Sequence, residues 1–184
     1  MIFPKWKAVP MKASNEVWER LAKLHYKNSD QYGVLSSIAY GITALGYPVM
    51  PDLLMKLCGV SISDVEKGLS VEKVKILIDS FLSYSKSPLK SEVFWPKDVA
   101  ILRAIILDSF QCQKDVLIFG MRHQNLDQIH YYLFGNYFSY SDEVLIFKMV
   151  QGGVEQTWNI SITKLFERII CSPLHAVLRI VDYG

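Results

Sequence analysis

DQYGVLSSIAYGITALGY, Asp30 to Tyr47, is the stretch that decides how the rest of the chain must be arranged. After a polar entry, Gly33 makes a small-residue corner, and from there to Leu45 nearly every position is apolar or small. A helix that apolar on every side belongs in the middle of a domain, because no face of it suits water. Gly46, followed by Pro48, supplies the stop. The pattern therefore predicts a buried central helix over about residues 33–45, with the other elements packed round it. Ser36 and Ser37 invite a serine-nucleophile reading. Inside an apolar helix, however, they are expected to bond back to the preceding turn or to allow close packing.

On the N-terminal side, residues 1–14 read as an irregular arm carrying Trp6. Val17, Leu21 and Leu24 mark a short helix capped by Ser14 or Asn15. On the other side, Pro51 opens the helix DLLMKLCG, stopped at Gly59. Ser70 caps SVEKVKILIDSFLS, with Val71, Val74, Leu77, Ile78 and Phe81 on one face. Tyr84 to Pro96 is linker-like, with a short strand expected at Val93–Trp95. Lys97 to Gln111 is helical again, with Ala100, Ile101, Ala104, Ile105 and Phe110 expected inward.

The second half changes period. DVLIFGM (Asp115 to Met121) and IHYYLFGNYF (Ile129 to Phe138) read as buried strands. SYSDE makes a turn, and Val144 to Val150 returns as the second arm of a hairpin. A Gly152-Gly153 loop leads to Trp158, Ser161 caps SITKLFERII, and His175 to Val181 is a closing strand. Helices first and an antiparallel sheet second define an α+β order. The expected architecture is an N-terminal arm (1–14) and one domain (15–184), with N-terminal helices around the central helix, packed on a C-terminal antiparallel sheet.

Composition narrows the function. Half of the 184 residues are hydrophobic and 12% aromatic, so a full core is expected. A net charge of +2, with lysines scattered, argues against nucleic acid. No run is long and apolar enough to span a membrane; Arg103 and Asp108 interrupt the best candidate, Val99 to Phe110. Cys58, Cys112 and Cys171 form no CxxC pair, so neither disulfides nor a metal site is signalled, and a reducing intracellular compartment is expected. His123 and Asp127 lack the further ligands a metal needs. Lys5, Lys7 and Lys12 without an acid give residues 1–15 a faint presequence character, which leaves cytoplasm and mitochondrion both open.

This order of elements resembles the phytochelatin synthase family of the papain-like cysteine peptidase fold. The family segment YCGVAS, followed by a hydrophobic helix and LG, is similar to QYGVLSSIAYGITALG, which ends at Leu45-Gly46. GMTLDELGRLI is echoed by GLSVEKVKILI, Gly68 to Ile78. The family's catalytic histidine opens a strand, with an aspartate eighteen residues later and a tryptophan ten beyond. Here His130 is followed by Lys148 and Trp158 at those spacings, and ITKLFERI matches the next helix. The resemblance covers about residues 20–182.

Carried over, it implies a dismantled site. The nucleophile position falls on Tyr32 or Gly33. A phenol with a pKa near 10 is a poor nucleophile, and glycine has no side chain. The orienting acid becomes Lys148, whose ammonium would depress the histidine pKa instead of stabilising imidazolium. The oxyanion glutamine is replaced by Tyr26 or Lys27. Only His130 survives, and a lone strand histidine is more often packed than catalytic. The resemblance thus implies a pseudoenzyme without cofactor or metal, acting as a structural or accessory interaction subunit among protein subunits of a larger assembly. Trp6, Tyr131, Tyr137 and Tyr140 are its candidate contacts, because an aromatic-rich hairpin must turn some rings away from its own core. The alternative is a thiol peptidase or γ-glutamyl transferase using Cys58 or Cys112 with His130. It needs a sulfur within hydrogen-bond reach of the imidazole.

Overall fold

The computed structural model describes residues 33–184 apart from 48, 50, 62, 65–68, 113, 123–128, 151–152 and 171–175. The arm with Trp6, the first expected helix, Tyr32, His123, Asp127, Cys171 and His175 lie outside the described residues.

Helix α1 (Gly33–Ala44) is the expected central helix. Every residue from Val34 to Leu45 is buried, with Leu35, Ile38 and Ile42 fully so. Its end is closed by geometry that Gly46 makes possible. At φ +94 the chain turns back, so that the Gly46 amide reaches Thr43 O (2.9 Å) and the Tyr47 amide reaches Ile42 O (3.2 Å). Helix α2 (Pro51–Cys58) stops at Gly59, and α3 (Val71–Ser85) is capped by Ser70, whose hydroxyl accepts from the Lys73 amide. The expected face Val71, Val74, Leu77, Ile78 and Phe81 is buried, with Leu82 added.

The strands are β1 (Leu89–Phe94), β2 (Asp115–Arg122), β3 (Ile129–Phe138), β4 (Glu143–Val150), β5 (Gly153–Ser161) and β6 (Val177–Asp182). They form one six-stranded sheet in the order β1-β6-β2-β3-β4-β5, antiparallel throughout. Helices α4 (Val99–Cys112) and α5 (Ile162–Ile170) complete the five helices described. The chain is therefore a mixed α/β domain, as the element order indicated.

Three details differ from expectation. The sheet is not wholly C-terminal: residues 89–94 pair with β6 and supply an edge strand from the helical half. The segment from Gly153 onward continues as β5, where a loop to Trp158 was expected. And the sheet is covered on both faces. Pleated alternation splits its residues into two cores. Val116, Ile118, Tyr131, Leu133, Phe147, Leu178 and Ile180 pack with α1, α2 and α3. Leu117, Phe119, Met121, Tyr132, Phe134, Val144, Ile146 and Val177 pack with α4 and α5.

Ser37 on α1 is used for close packing. Its hydroxyl donates to Tyr131 O on β3 at 3.2 Å. The Tyr131 ring crosses the same core, and its hydroxyl donates to Leu69 O at 2.9 Å, tying β3 to the entry of α3. Burial pushes that phenol pKa up, so it stays a donor at any ordinary pH. Tyr131→Phe leaves the Leu69 carbonyl without this donor and is expected to lower stability by about 1–2 kcal/mol. It should appear as a lower urea midpoint with an unchanged slope.

Candidate functional site

The site implied by the resemblance would bring the start of the central helix to His130 and Lys148. Gly33, one of the two positions matched to the nucleophile, is the first residue of α1 and carries no side chain; the other, Tyr32, lies outside the described residues. The helix runs along β3, with Ser37 at Tyr131 and Gly41 against Leu133. His130 pairs with Met121 across β2 and β3, and both precede the alternating run Tyr131, Tyr132, Leu133, Phe134. Tyr131 and Leu133 face α1, whereas Met121, Tyr132 and Phe134 face α4 and α5. Alternation therefore sets the half-buried His130 on the α4/α5 face. Lys148 follows Phe147, which faces α1, and so falls on the same face as His130. The structure brings His130 and Lys148 to one face and puts the start of α1 on the other. The sheet stands between them.

Cys112 ends α4 and is half-buried. It lies at the Asp115 end of β2, while His130 pairs at the Met121 end. Six residues of strand separate these ends, roughly 20 Å at about 3.3 Å per residue. A Cys112–His130 dyad is thus out of reach. Cys58 is the last residue of α2, and its side chain is outside the described set.

The candidate contact residues divide. Tyr131 is only 2% exposed and belongs to the core, because its strand position faces α1; it cannot meet a partner. Tyr137 is half-buried, with its ring against Phe110 (6.1 Å between centroids) and its hydroxyl bonded to Asp142. Tyr140, at the turn between β3 and β4, is 86% exposed and leans on Phe138. The turn is held from below. Asp142 adopts φ +52, accepts from Arg103 Nη2 (2.5 Å) and Nε (3.1 Å), and takes the Ile162 amide on its carbonyl. The bonds from Arg103 hold this carboxyl below the usual range.

A charged cluster unforeseen from the sequence joins the end of α4 to β2 and β6. The Asp115 side chain is fully buried, accepts from Ser109 Oγ (2.9 Å) and pairs with Arg179 Nε. Arg179 Nη1 also reaches Asp108 at 2.6 Å. Burial raises the Asp115 pKa, against the pull of Arg179. Arg179 loses hydration, yet Asp115 and Asp108 outweigh this and its pKa rises. Desolvation thus dominates at the acid, and attraction at the base. Arginine stays charged at any accessible pH, so the balance at the carboxyl is the one that stability follows. The sequence signal was available: a charge opening an apolar strand (Asp115), and another inside the closing strand (Arg179).

A cavity of about 220 Å³ opens beside α3, lined by Gly59, Val60, Asp64, Leu69, Lys73, Ile76 and Leu77. It is smaller than the roughly 300–1,000 Å³ of ordinary ligand sites. Among the described residues no group of three or more His, Cys, Asp or Glu is placed to hold a metal, and no helix is long and apolar enough to cross a membrane. Compared with known proteins, the chain matches no family model and no curated sequence.

Proposed function

We propose that the chain is a catalytically inactive papain-like, phytochelatin synthase-like pseudoenzyme that serves as a structural or accessory interaction subunit of a larger complex. The observation that supports inactivity is that the residues matched to nucleophile and base lie on opposite faces of the sheet. The helix start that would hold a nucleophile begins at Gly33, and the histidine that would activate it sits across the sheet. Acyl transfer by this route needs nucleophile and base within about 3 Å of each other. The two-sided core does not depend on catalytic side chains, so the domain keeps its shape without them. Tyr140, on its clamped turn, is the exposed contact residue that remains from the aromatic hairpin.

The test compares the protein from its native source with the recombinant chain. Migration of the native protein in a large complex, lost on Tyr140→Ser, supports the subunit reading. A native protein that travels as the isolated chain does would count against it. Thiol labelling at pH 6 addresses chemistry directly. Cys58, Cys112 and Cys171 are expected to react no faster than the thiol of a short unstructured peptide. A cysteine labelled a hundredfold faster, and slowed by His130→Ala, would restore the thiol-enzyme alternative.

A further inference from the structure

The cavity beside α3 has walls of two kinds. Lys73, Ile76 and Leu77 stand three and four residues apart, so they stack on one face of the helix. Gly59, Val60 and Asp64, from the chain that follows α2, complete the lining together with Leu69. Leu69 and Leu77 belong to the core around α1. Ile76 is 63% exposed, more than any other described leucine or isoleucine. The interior is thus apolar, and two opposite charges sit on it. The Asp64 carboxylate is held in place by the Ser61 amide (3.0 Å) and hydroxyl (2.5 Å), both donating to Oδ2. A carboxylate accepts at both oxygens, so these bonds orient it without exhausting it. Lys73 is exposed, and among the described residues its ammonium pairs with no carboxylate.

We propose that this cavity binds a free α-amino acid with an apolar side chain, of which leucine is the type. The side chain occupies the apolar interior, the α-ammonium meets Asp64, and the α-carboxylate meets Lys73. Volume fits a molecule of this size. The cavity holds about 220 Å³, and one of roughly 150 Å³ accommodates benzene. A nucleotide or a large cofactor is excluded on the same ground. Charge complementarity narrows the class further. A solute apolar throughout would sit beside two charges without using either. A residue inside a peptide carries no charge at its α-carbon, because its amine and carboxyl are amides. Burial of one aliphatic side chain and two solvent-screened charge contacts sets a dissociation constant on the order of 1 mM.

Titration of the isotope-labelled full chain with L-leucine, followed by amide chemical shifts, tests this. Saturating shifts are expected at Gly59, Val60 and the first two turns of α3 by about 20 mM. Three relatives of leucine take its features apart. Isocaproate lacks the ammonium, isoamylamine lacks the carboxylate, and N-acetylleucinamide carries neither charge. The first two are expected to bind roughly two- to fivefold more weakly, and the third about tenfold. Lys73→Ala should weaken leucine by the same factor as removal of the carboxylate, leave isoamylamine unchanged, and keep the melting temperature of the wild type. Leucine that gives no saturable shift at these residues overturns the proposal. So does N-acetylleucinamide binding as tightly as leucine, glycine binding as tightly as leucine, or Lys73→Ala binding leucine as the wild type does. The pseudoenzyme reading stands apart from the result, since neither Gly33 nor His130 lines this cavity.

Discussion

Arg179→Met is expected to cost about 3–5 kcal/mol at neutral pH, because it strands a charge, whereas the lost contact by itself is worth little. The Asp115 carboxylate is fully buried and would keep only Ser109 as a side-chain partner. Its pKa already stands above the ordinary 3.8 through burial, and removing the guanidinium removes the largest opposing influence. The sign of the pH dependence follows. A folded-state pKa above the unfolded value gives stability that is complete below the unfolded value and is lost as pH rises through the folded one. The variant should therefore be markedly more stable at pH 4–5 than at pH 7.5, relative to wild type. Asp115→Asn added to Arg179→Met should recover much of the loss and flatten the pH profile, since two neutral groups of similar size replace the pair. Urea midpoints at the two pH values measure both effects. If Arg179→Met is equally destabilised at both, the carboxylate is not the seat of the cost.

Gly41→Leu should prevent the domain from folding. A Cβ at Gly41 would already lie 3.2 Å from Val116 Cγ1 and 3.8 Å from Leu133 Cδ2, so α1 touches the sheet with its backbone there. A leucine must push three further carbons into that contact. Val116, Leu133 and Tyr40 are all buried in the same core and cannot move aside cheaply. The expected loss exceeds about 3 kcal/mol and should appear as aggregation or a collapsed, loosely packed state. Gly41→Ala separates packing from propensity. Alanine adds about 1 kcal/mol of helix propensity, set against a contact tight by a few tenths of an ångström. It should be close to neutral, and a stabilised Gly41→Ala would mean that α1 can lift off the sheet.

Legibility in the sequence followed how locally each feature is determined. The central helix was readable because residues 33–45 leave no polar side, and α3 because its apolar positions repeat once per turn beside a serine cap. The strand β1 was hard to see, since Lys90, Ser91 and Glu92 break the apolar run; on an edge strand such residues blunt further pairing. The α4 face was legible only in part: Ile105 and Phe110 pack on the core as expected, whereas Ala100, Ile101 and Ala104 are exposed, because apolar residues lie on both sides of the helix and periodicity has no preferred phase. What settled it was the docking of Leu102 and Ile106 against the sheet, a non-local fact. The candidate site was least legible. The faces on which His130, Lys148 and α1 lie depend on strand alternation counted across two pairings, which spacing along the chain does not give.

The placing of β6 has a bearing on how the chain acquires its structure. It slots between β1 and β2, and its Val177, Leu178 and Ile180 are essentially inaccessible to solvent within the two cores. Among the described strands, a growing polypeptide thus presents β1 with no neighbour, and β2 with only one, until residues 177–182 have been made. Insertion of a strand into the interior of a sheet is a late, long-range event, and the waiting edges are open to other chains. Synthesis stalled before Val177 would leave a product that is aggregation-prone throughout, and chaperone dependence should concentrate in that interval.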